Sequence, residues 1–237
     1  MSRAPRIAFI VEGKTDYYVL TSLVSMWLKG HYIPTQIQPE SSNFGTGEGW
    51  GGVFKWCRQV RENTKNKFLS DPLFTQFDLV LIHIDGDVSF SHYSDIGIDT
   101  PPNSDIPCYK KGDSASTIIL KLEKVLANWC GITDFPIKVI TVIPVMATEA
   151  WLFSGLVPND NRIIQKTIEQ EFYPDDLFVT QPKGLRLVRK NGDRNKKETK
   201  RYREAMPTFC NSWSNVTSVC HGAKLFDQKF HQSLQMI

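Results

Sequence analysis

Runs of apolar residues alternate with amphipathic stretches through the first two thirds of the chain. Four runs rich in Ile, Val, Leu and Phe predict strands at residues 6–11, 32–37, 77–84 and 135–143. Apolar positions at helical spacing predict helices at residues 16–28, 53–68 and 114–129. The Gly-rich residues 41–52 predict a mobile loop.

Strands that alternate with helices of this length predict a mostly parallel sheet with helices on both faces, a Rossmann-like α/β fold. From residue 148 onward the strand pattern fades. Helical stretches are predicted at residues 149–153, 161–172, 196–206 and 224–234. We therefore expect an α/β core over residues 1–150 and a helical, basic extension over residues 151–237 that packs on the core.

Acidic residues follow two of the predicted strands. Glu12 comes after the first strand, and Asp85 and Asp87 come after the third. In a parallel sheet the carboxyl ends of the strands lie at one edge, where ligand-binding groups gather. Burying an ionised carboxylate there costs on the order of several kcal/mol unless it is paired or binds metal. The pattern therefore predicts a site for a hard cation.

Length and composition limit the remaining possibilities. A chain of 237 residues with 41% hydrophobic content can bury the core of one large domain. It has no run of about 20 apolar residues, and no apolar signal region follows Met1, so we predict a cytoplasmic protein without a membrane span. Its five cysteines lack the paired spacing of a zinc or redox motif.

The acidic motifs resemble those of the Toprim domain, the module shared by topoisomerases, primases and several nucleases. The matching segments are Val-Glu-Gly-Lys-Thr-Asp at residues 11–16 and Asp-Gly-Asp at residues 85–87, and the resemblance covers about residues 6–145. It implies that Glu12 acts in acid–base chemistry or binds metal, and that Asp85 and Asp87 hold magnesium.

Within that family the chain most resembles the nuclease branch, because it is too short for a topoisomerase gate and lacks primase zinc spacing. This branch includes the overcoming-lysogenization-defect family and small Toprim proteins encoded beside ABC-type ATPases in bacterial antiviral systems. The resemblance implies a second metal position at Asp16 and Glu149, although Ala147 stands where the pattern has Ser. It also implies that Lys183 stabilises transition-state charge.

The resemblance thus assigns catalysis to Glu12, Asp85, Asp87 and Lys183, and one or two Mg²⁺ or Mn²⁺ ions to Glu12, Asp16, Asp85, Asp87 and Glu149. Simpler roles stay open, because Asp16 and Glu149 also suit helix N-termini. His83 lies inside an apolar strand, so we predict that it is a core histidine. Trp50 could stack on a base or a partner, or cap the core.

Positive charge concentrates after residue 183. We predict nucleic-acid contacts for Lys183, Arg186, Arg189, Lys190, Arg194, Lys196 and Lys197. The alternative is a solvated loop, because charge runs are commonly surface faces.

Together, these expectations predict a Mg²⁺-dependent endonuclease that acts on DNA or RNA, with tRNA as one possible substrate. The resemblance implies a toxin effector of an antiphage system under the control of a partner ABC-type ATPase, and it leaves a homodimer open. One alternative is a Toprim-fold subunit without turnover that binds nucleic acid or a partner. A receiver-like signalling domain is the other, but this chain is longer than such a domain.

Overall fold

The structure is a computed structural model that describes residues 3–40, 47–101, 104–192 and 194–236. The strands are β1 (Arg6–Ile10), β2 (Ile33–Gln38), β3 (Leu79–His83), β4 (Val139–Val142), β5 (Val188–Asn191) and β6 (Arg194–Lys197). The helices are α1 (Lys14–Trp27), α2 (Trp50–Asn63), α3 (Leu73–Gln76), α4 (Ala115–Cys130), α5 (Thr148–Leu156), α6 (Asn161–Ile164), α7 (Asp176–Val179), α8 (Thr199–Asn211), α9 (Trp213–Val219) and α10 (His221–Leu234). Short 3₁₀ turns occupy Phe68–Ser70, Gly86–Phe90, Tyr93–Ile96 and Ile168–Gln170.

Four parallel strands form the central sheet in the order β2-β1-β3-β4. Ile10 pairs with Ile82, and His83 pairs with Val142, so β1, β3 and β4 end at the same edge. The predicted Rossmann-like α/β fold is confirmed. Residues that follow these three strands are thereby brought together.

Each strand sends alternate side chains to opposite faces of the sheet, as the period of two requires. Ile7 and Phe9 belong to the apolar cluster that contains α1, α5 and the helices α8 to α10. Ala8 and Ile10 belong to the cluster on the other face, which contains α2 and α4. Helices therefore cover both faces of the sheet.

The C-terminal helices complete one of these two layers. Trp27 of α1 stacks on Phe230 of α10, with ring centroids 4.6 Å apart, and Trp151 of α5 stacks on Phe226 at 6.1 Å. The predicted boundary at residue 150 falls inside α5. Residues after 150 thus share a hydrophobic core with β1 and α1.

Two predicted helices differ from the structure. The stretch 161–172 forms only the short α6 and a 3₁₀ turn, and residues 194–197 form β6 of an antiparallel hairpin, so α8 begins at Thr199 rather than at residue 196. The turn between β5 and β6 contains Gly192 with φ +61°, a conformation that glycine adopts readily. The hairpin strands have four residues each and are rich in Lys and Arg, so they carry little of the apolar alternation that predicts a strand.

The predicted Gly-rich loop ends earlier than expected, because α2 begins at Trp50. Gly51 and Gly52 lie inside this helix against neighbouring atoms. Trp50 stacks with the core residue Trp129 at 6.0 Å, which supports its core role. Residues 41–46 of the predicted loop lie outside the described residues. Within the described part of the chain, no helix combines the length and apolar character needed to cross a bilayer.

Candidate metal centre

Acidic side chains lie at one edge of the sheet, after the ends of β1, β3 and β4 and in the first turns of α1 and α5. Glu12 follows β1, and Asp16 lies in the first turn of α1. Asp85 begins the 3₁₀ turn after β3, and Glu149 lies in the first turn of α5, after β4. The parallel register makes these segments neighbours, so their carboxylates accumulate at one place.

The buried centre of this site is formed by Asp16, His83 and Asp85. One ligand atom of each lies within 4.8 Å of the others, a spacing at which these residues could hold a metal ion. Asp85 Oδ1 accepts hydrogen bonds from the backbone N–H of Thr148 (3.0 Å) and from its hydroxyl (3.2 Å). Asp16 Oδ1 is buried and has no hydrogen-bond partner among the described residues. Such an orphaned buried oxygen is a feature that a cation would satisfy.

His83 is fully buried and lies beside the same carboxylate. Its Nε2 is 3.1 Å from Thr148 Oγ1 and 3.3 Å from Asp85 Oδ1. Burial by itself lowers the pKa of His83, but the hydrogen bond to Asp85 and the charges of Asp16 and Asp85 outweigh it and raise that pKa. The prediction of an ordinary core histidine therefore needs correction, because His83 is part of the acidic cluster.

Glu12 closes one side of the cluster. Its Oε1 accepts the backbone N–H of Asp85 at 2.7 Å, which ties the end of β1 to the end of β3. Burial raises the pKa of Glu12 well above its usual range, and repulsion from Asp85, Asp87 and Asp16 acts in the same direction.

Asp87 is held by close backbone contacts with the segment that leads into α5. The N–H of Asp87 donates to Met146 O at 2.9 Å, and the N–H of Gly86 donates to Pro144 O at 2.8 Å. A Cβ on Gly86 would lie 2.5 Å from Met146 N, so this approach requires glycine. Met146 itself has φ +64°, an uncommon conformation for a residue with a side chain. The positive φ of Met146 is thus a local backbone strain at the segment that binds the backbone of Asp87 before α5 begins.

Asp87 keeps an exposed side chain while Asp85 is buried behind it. Desolvation by the surrounding protein, followed by repulsion from Asp85, raises the pKa of Asp87 to about 7. Lys197 and Glu149 also act on this pKa, in opposite directions, which places all of these groups within one electrostatic site.

Glu149 is buried and engaged by two side chains from the C-terminal region. Its Oε1 accepts the hydroxyl of Tyr202 at 2.6 Å and lies 2.7 Å from Lys197 Nζ. Desolvation lowers the pKa of Lys197, but Glu149, Asp16 and Asp85 outweigh it and hold that pKa well above its ordinary value. Lys197 is therefore a firmly held cation inside the acidic site.

The site opens to solvent through a cleft of about 440 Å³. Its lining includes Glu12, Asp16, Asp85 and Lys197, together with exposed Lys14 at the start of α1. The cleft therefore gives solvent access to the carboxylates of Glu12, Asp16 and Asp85.

Three of the five carboxylates that the sequence singled out, Glu12, Asp16 and Asp85, line this cleft. Glu149 is linked to it through Lys197, and Asp87 through its electrostatic interaction with Asp85. Lys183, in contrast, is exposed in the segment before the hairpin, where its carbonyl accepts a hydrogen bond from Arg201. It does not line the cleft, and Lys197 from β6 does. The catalytic role of Lys183 stays a prediction of the resemblance, and the position of Lys197 makes it a second candidate for that role.

The other basic residues of the predicted nucleic-acid surface divide by strand face. Val188 pairs with Lys197 on the side facing the protein, whereas Arg189 pairs with Lys196 on the outer side. Lys190 is bound to Asp176 at 2.7 Å, and Arg189 to Glu198 at 2.6 Å. The basic side chains of Arg186, Arg189, Lys190, Arg194 and Lys196 are all exposed.

Sequence reasoning missed the parts played by His83, Thr148 and Tyr202. His83 and Asp85 are two residues apart in extended backbone, so their side chains share one face, and this signal was available. The hydroxyl of Thr148, one residue after Ala147, donates a hydrogen bond to Asp85. Tyr202 lies 53 residues from Glu149, and no local pattern could have paired them.

The fold and the site together define an α/β protein with a buried, carboxylate-rich centre at the carboxyl edge of a parallel sheet. Comparison of the chain with protein-family models, curated proteins and solved structures finds no match. Its function is therefore inferred from the geometry of the site.

We expect the stability of the metal-free protein to fall between about pH 4 and about pH 7. The raised pKa values of Glu12 and Asp87 mean that the folded state holds protons more tightly than the unfolded chain. Their contribution is complete below the ordinary pKa, 3.8 for Asp87, and is lost as the pH rises through the folded value of about 7.

Thermal unfolding in EDTA measures this, and the Tm should drop by on the order of a few degrees across that interval. Mg²⁺ or Mn²⁺ at the higher pH should restore it, because a cation replaces the protons. The variant Asp87→Asn should show a smaller drop, and an equal drop in that variant would contradict the assignment.

Proposed function

We propose that this protein is a metal-dependent nuclease that hydrolyses phosphodiester bonds of DNA or RNA. The observation that supports the proposal is the convergence of Glu12, Asp16, Asp85 and Lys197 on one cleft at the edge of the sheet. Glu149 contacts Lys197, and Asp87 interacts electrostatically with Asp85 and Lys197. Carboxylate clusters that hold divalent ions, with a nearby cation, are suited to phosphoryl chemistry because the reacting group is anionic.

The donor atoms fit a hard divalent cation. Carboxylate oxygens are the ligands that Mg²⁺ and Mn²⁺ prefer, and Asp16 Oδ1 is buried without a partner in the described part of the chain. His83 Nε2 contacts Thr148 and Asp85 and so orients a carboxylate ligand, while the buried His83 Nδ1 has no hydrogen-bond partner among the described residues. We therefore propose Mg²⁺ or Mn²⁺, with Asp16, Asp85 and Asp87 as ligands.

The two remaining carboxylates have separate environments. Glu12 lines the cleft next to Asp85 and would bind metal or accept a proton from the attacking water. Glu149 would help to hold a second ion, but in this structure its Oε1 is engaged by Lys197 and Tyr202. When bound, divalent ions would activate water and polarise the phosphate.

Lys197 supplies positive charge from the protein itself. Its Nζ lies among Glu149, Asp16 and Asp85. Negative charge that develops on the phosphate oxygens would be stabilised by this ammonium group, because a preorganised charge in a partly desolvated site needs little reorganisation.

Positive charge on the outer face of the hairpin would bind a polyanion such as DNA or RNA. Arg194 and Lys196 are exposed on the strand whose last residue is Lys197. Phosphates bound there would add salt-dependent affinity that is independent of sequence. The tRNA substrate, the antiphage role and the partner ABC-type ATPase stay predictions of the family resemblance.

A nuclease assay tests the proposal. Purified protein is incubated with tRNA, single-stranded DNA and plasmid in Mg²⁺, Mn²⁺ or EDTA, with and without an ABC-type ATPase encoded next to it, if there is one. We expect cleavage that needs the divalent ion and disappears in EDTA. Binding without cleavage under every condition would favour the alternative, a nucleic-acid-binding subunit without turnover.

A further inference from the structure

Three aromatic side chains form a cluster beside the metal centre, which we term the aromatic platform: Phe90, Tyr109 and Phe172. The rings of Phe90 and Tyr109 have centroids 4.2 Å apart at an interplanar angle of 34°. Phe172 meets Phe90 edge-on, with centroids 5.3 Å apart. The three rings come from separate parts of the chain, so the fold assembles them.

One ring of the platform faces solvent. Phe172 is 53% exposed, whereas Phe90 and Tyr109 are half-buried and pack against the core. Large apolar rings are favoured in the interior by about 25 cal/mol for each Å² removed from water. An exposed ring that lies on two half-buried rings is therefore suited to being covered by a ligand.

The platform is joined rigidly to Asp87. Asp87 and Phe90 lie in the same 3₁₀ turn, three residues apart. A 3₁₀ helix has three residues per turn, so these two side chains project from the same side, roughly 6 Å apart along the axis. The carbonyl of Ser89 accepts the N–H groups of Cys108 and Tyr109 at 2.9 and 3.0 Å, which fixes Tyr109 to this turn.

Charge next to the platform suits a nucleic acid. Exposed Lys110 and Lys111 follow Tyr109 directly. A ligand bound here would lie against an aromatic face and next to cations, within one helical turn of the proposed site of phosphodiester cleavage. Such a ligand must carry a flat ring close to phosphate groups. A strand with unpaired bases has both.

We propose that the aromatic platform stacks an unpaired base of a single-stranded nucleic acid whose adjacent phosphate enters the carboxylate site. This inference rests on the proposed function and names its substrate class as single-stranded DNA or RNA. Bases in a duplex are already stacked and paired, so they do not offer a face to the protein. The protein is thus expected to select single-stranded segments over duplex.

The test measures stacking directly with short oligonucleotides that carry one 2-aminopurine, a base whose fluorescence is quenched on stacking. Single-stranded DNA, single-stranded RNA and the matching duplexes are titrated with the protein in Ca²⁺. We expect quenching of the single strands and little quenching of the duplexes. The two single-stranded arms distinguish DNA from RNA.

Replacing Phe172 by Ala should weaken single-strand binding about 5- to 150-fold, the range that loss of one stacked base implies, and should reduce the quenching. Phe172→Tyr should retain both, because it keeps a flat ring. Tyr173→Ala is the matched control, since Tyr173 is the next residue and is 72% exposed but does not belong to the platform. The exposure of Phe172 makes its removal benign for folding, which the Tm will verify.

Equal binding by wild type and Phe172→Ala, or an equal loss in Tyr173→Ala, would overturn the inference. Cleavage of single strands and duplexes at the same rate in wild type and Phe172→Ala would reject the platform while the nuclease function stands. Phe172-dependent quenching without metal-dependent cleavage would instead reject the nuclease function and keep the base-stacking site.

Discussion

Replacing Asp85 by Asn is expected to lower the rate of nucleic-acid cleavage by more than about 10²-fold and to weaken divalent-ion binding. Asn keeps the shape of the side chain but removes the charge from a buried position in the site. The Asp85 carboxylate is held by Thr148 and His83, and the Asp85 backbone N–H donates to Glu12, so this residue is central to the cluster. Residues that only orient metal ligands cost about 10- to 100-fold when lost, and a direct ligand should exceed that.

The same change should leave the metal-free protein at least as stable as wild type. One of several mutually repelling carboxylates is neutralised, so the Tm in EDTA should be unchanged or raised. Calorimetric titration with Mn²⁺ and the cleavage rate measure the two losses. Asp134→Asn changes an exposed acid that does not line the cleft, so it is the control and should behave as wild type. Full activity in Asp85→Asn would refute the assignment of the metal centre.

Lys197→Met is expected to reduce the cleavage rate by about 10²- to 10³-fold, the usual cost of losing one preorganised group that stabilises transition-state charge. Met preserves most of the length of the side chain but removes the ammonium group. Lys197→Arg should retain more activity than Lys197→Met because it keeps the charge.

Neighbouring lysines give matched controls for this prediction. Lys196→Met changes the adjacent residue on the outer face of the hairpin, where the side chain is exposed, and should affect binding at low salt more than the cleavage step. Lys183→Met tests the sequence-based assignment directly. Loss of activity in Lys183→Met with full activity in Lys197→Met would assign the role to Lys183.

A stability measurement separates the electrostatic role of Lys197 from a structural one. Removing it leaves buried Glu149 without its cation, which should destabilise the metal-free protein by roughly 1–3 kcal/mol, reduced because a third of the Lys197 side chain is exposed. Adding Glu149→Gln to Lys197→Met should restore this stability without restoring activity. A double variant that regains activity would show that Lys197 acts only by supporting the fold.

Strong local patterns account for what could be predicted. The apolar runs of β1, β3 and β4 and the amphipathic spacing of α1 and α4 are sufficient to define a parallel α/β sheet. Since carboxyl ends of parallel strands share an edge, acids that follow β1 and β3 could be expected to meet. Their convergence in the structure follows from this rule.

Local sequence patterns could not predict the hairpin or the aromatic platform. β5 and β6 are short and basic, so their sequence reads as a solvated loop or the start of a helix. Phe172 and Phe90 are 82 residues apart, and Trp50 was as good a stacking candidate until the fold placed it against Trp129.

The sequence by itself determined the fold class and the identity of the acidic residues, because strand and helix periodicity and the chemistry of buried carboxylates are local properties. Only the tertiary structure decided which lysine enters the site, how Thr148 and His83 hold Asp85, and which aromatic rings form the platform. Those outcomes depend on contacts between residues far apart in the chain, and such contacts are set by the packing of whole elements.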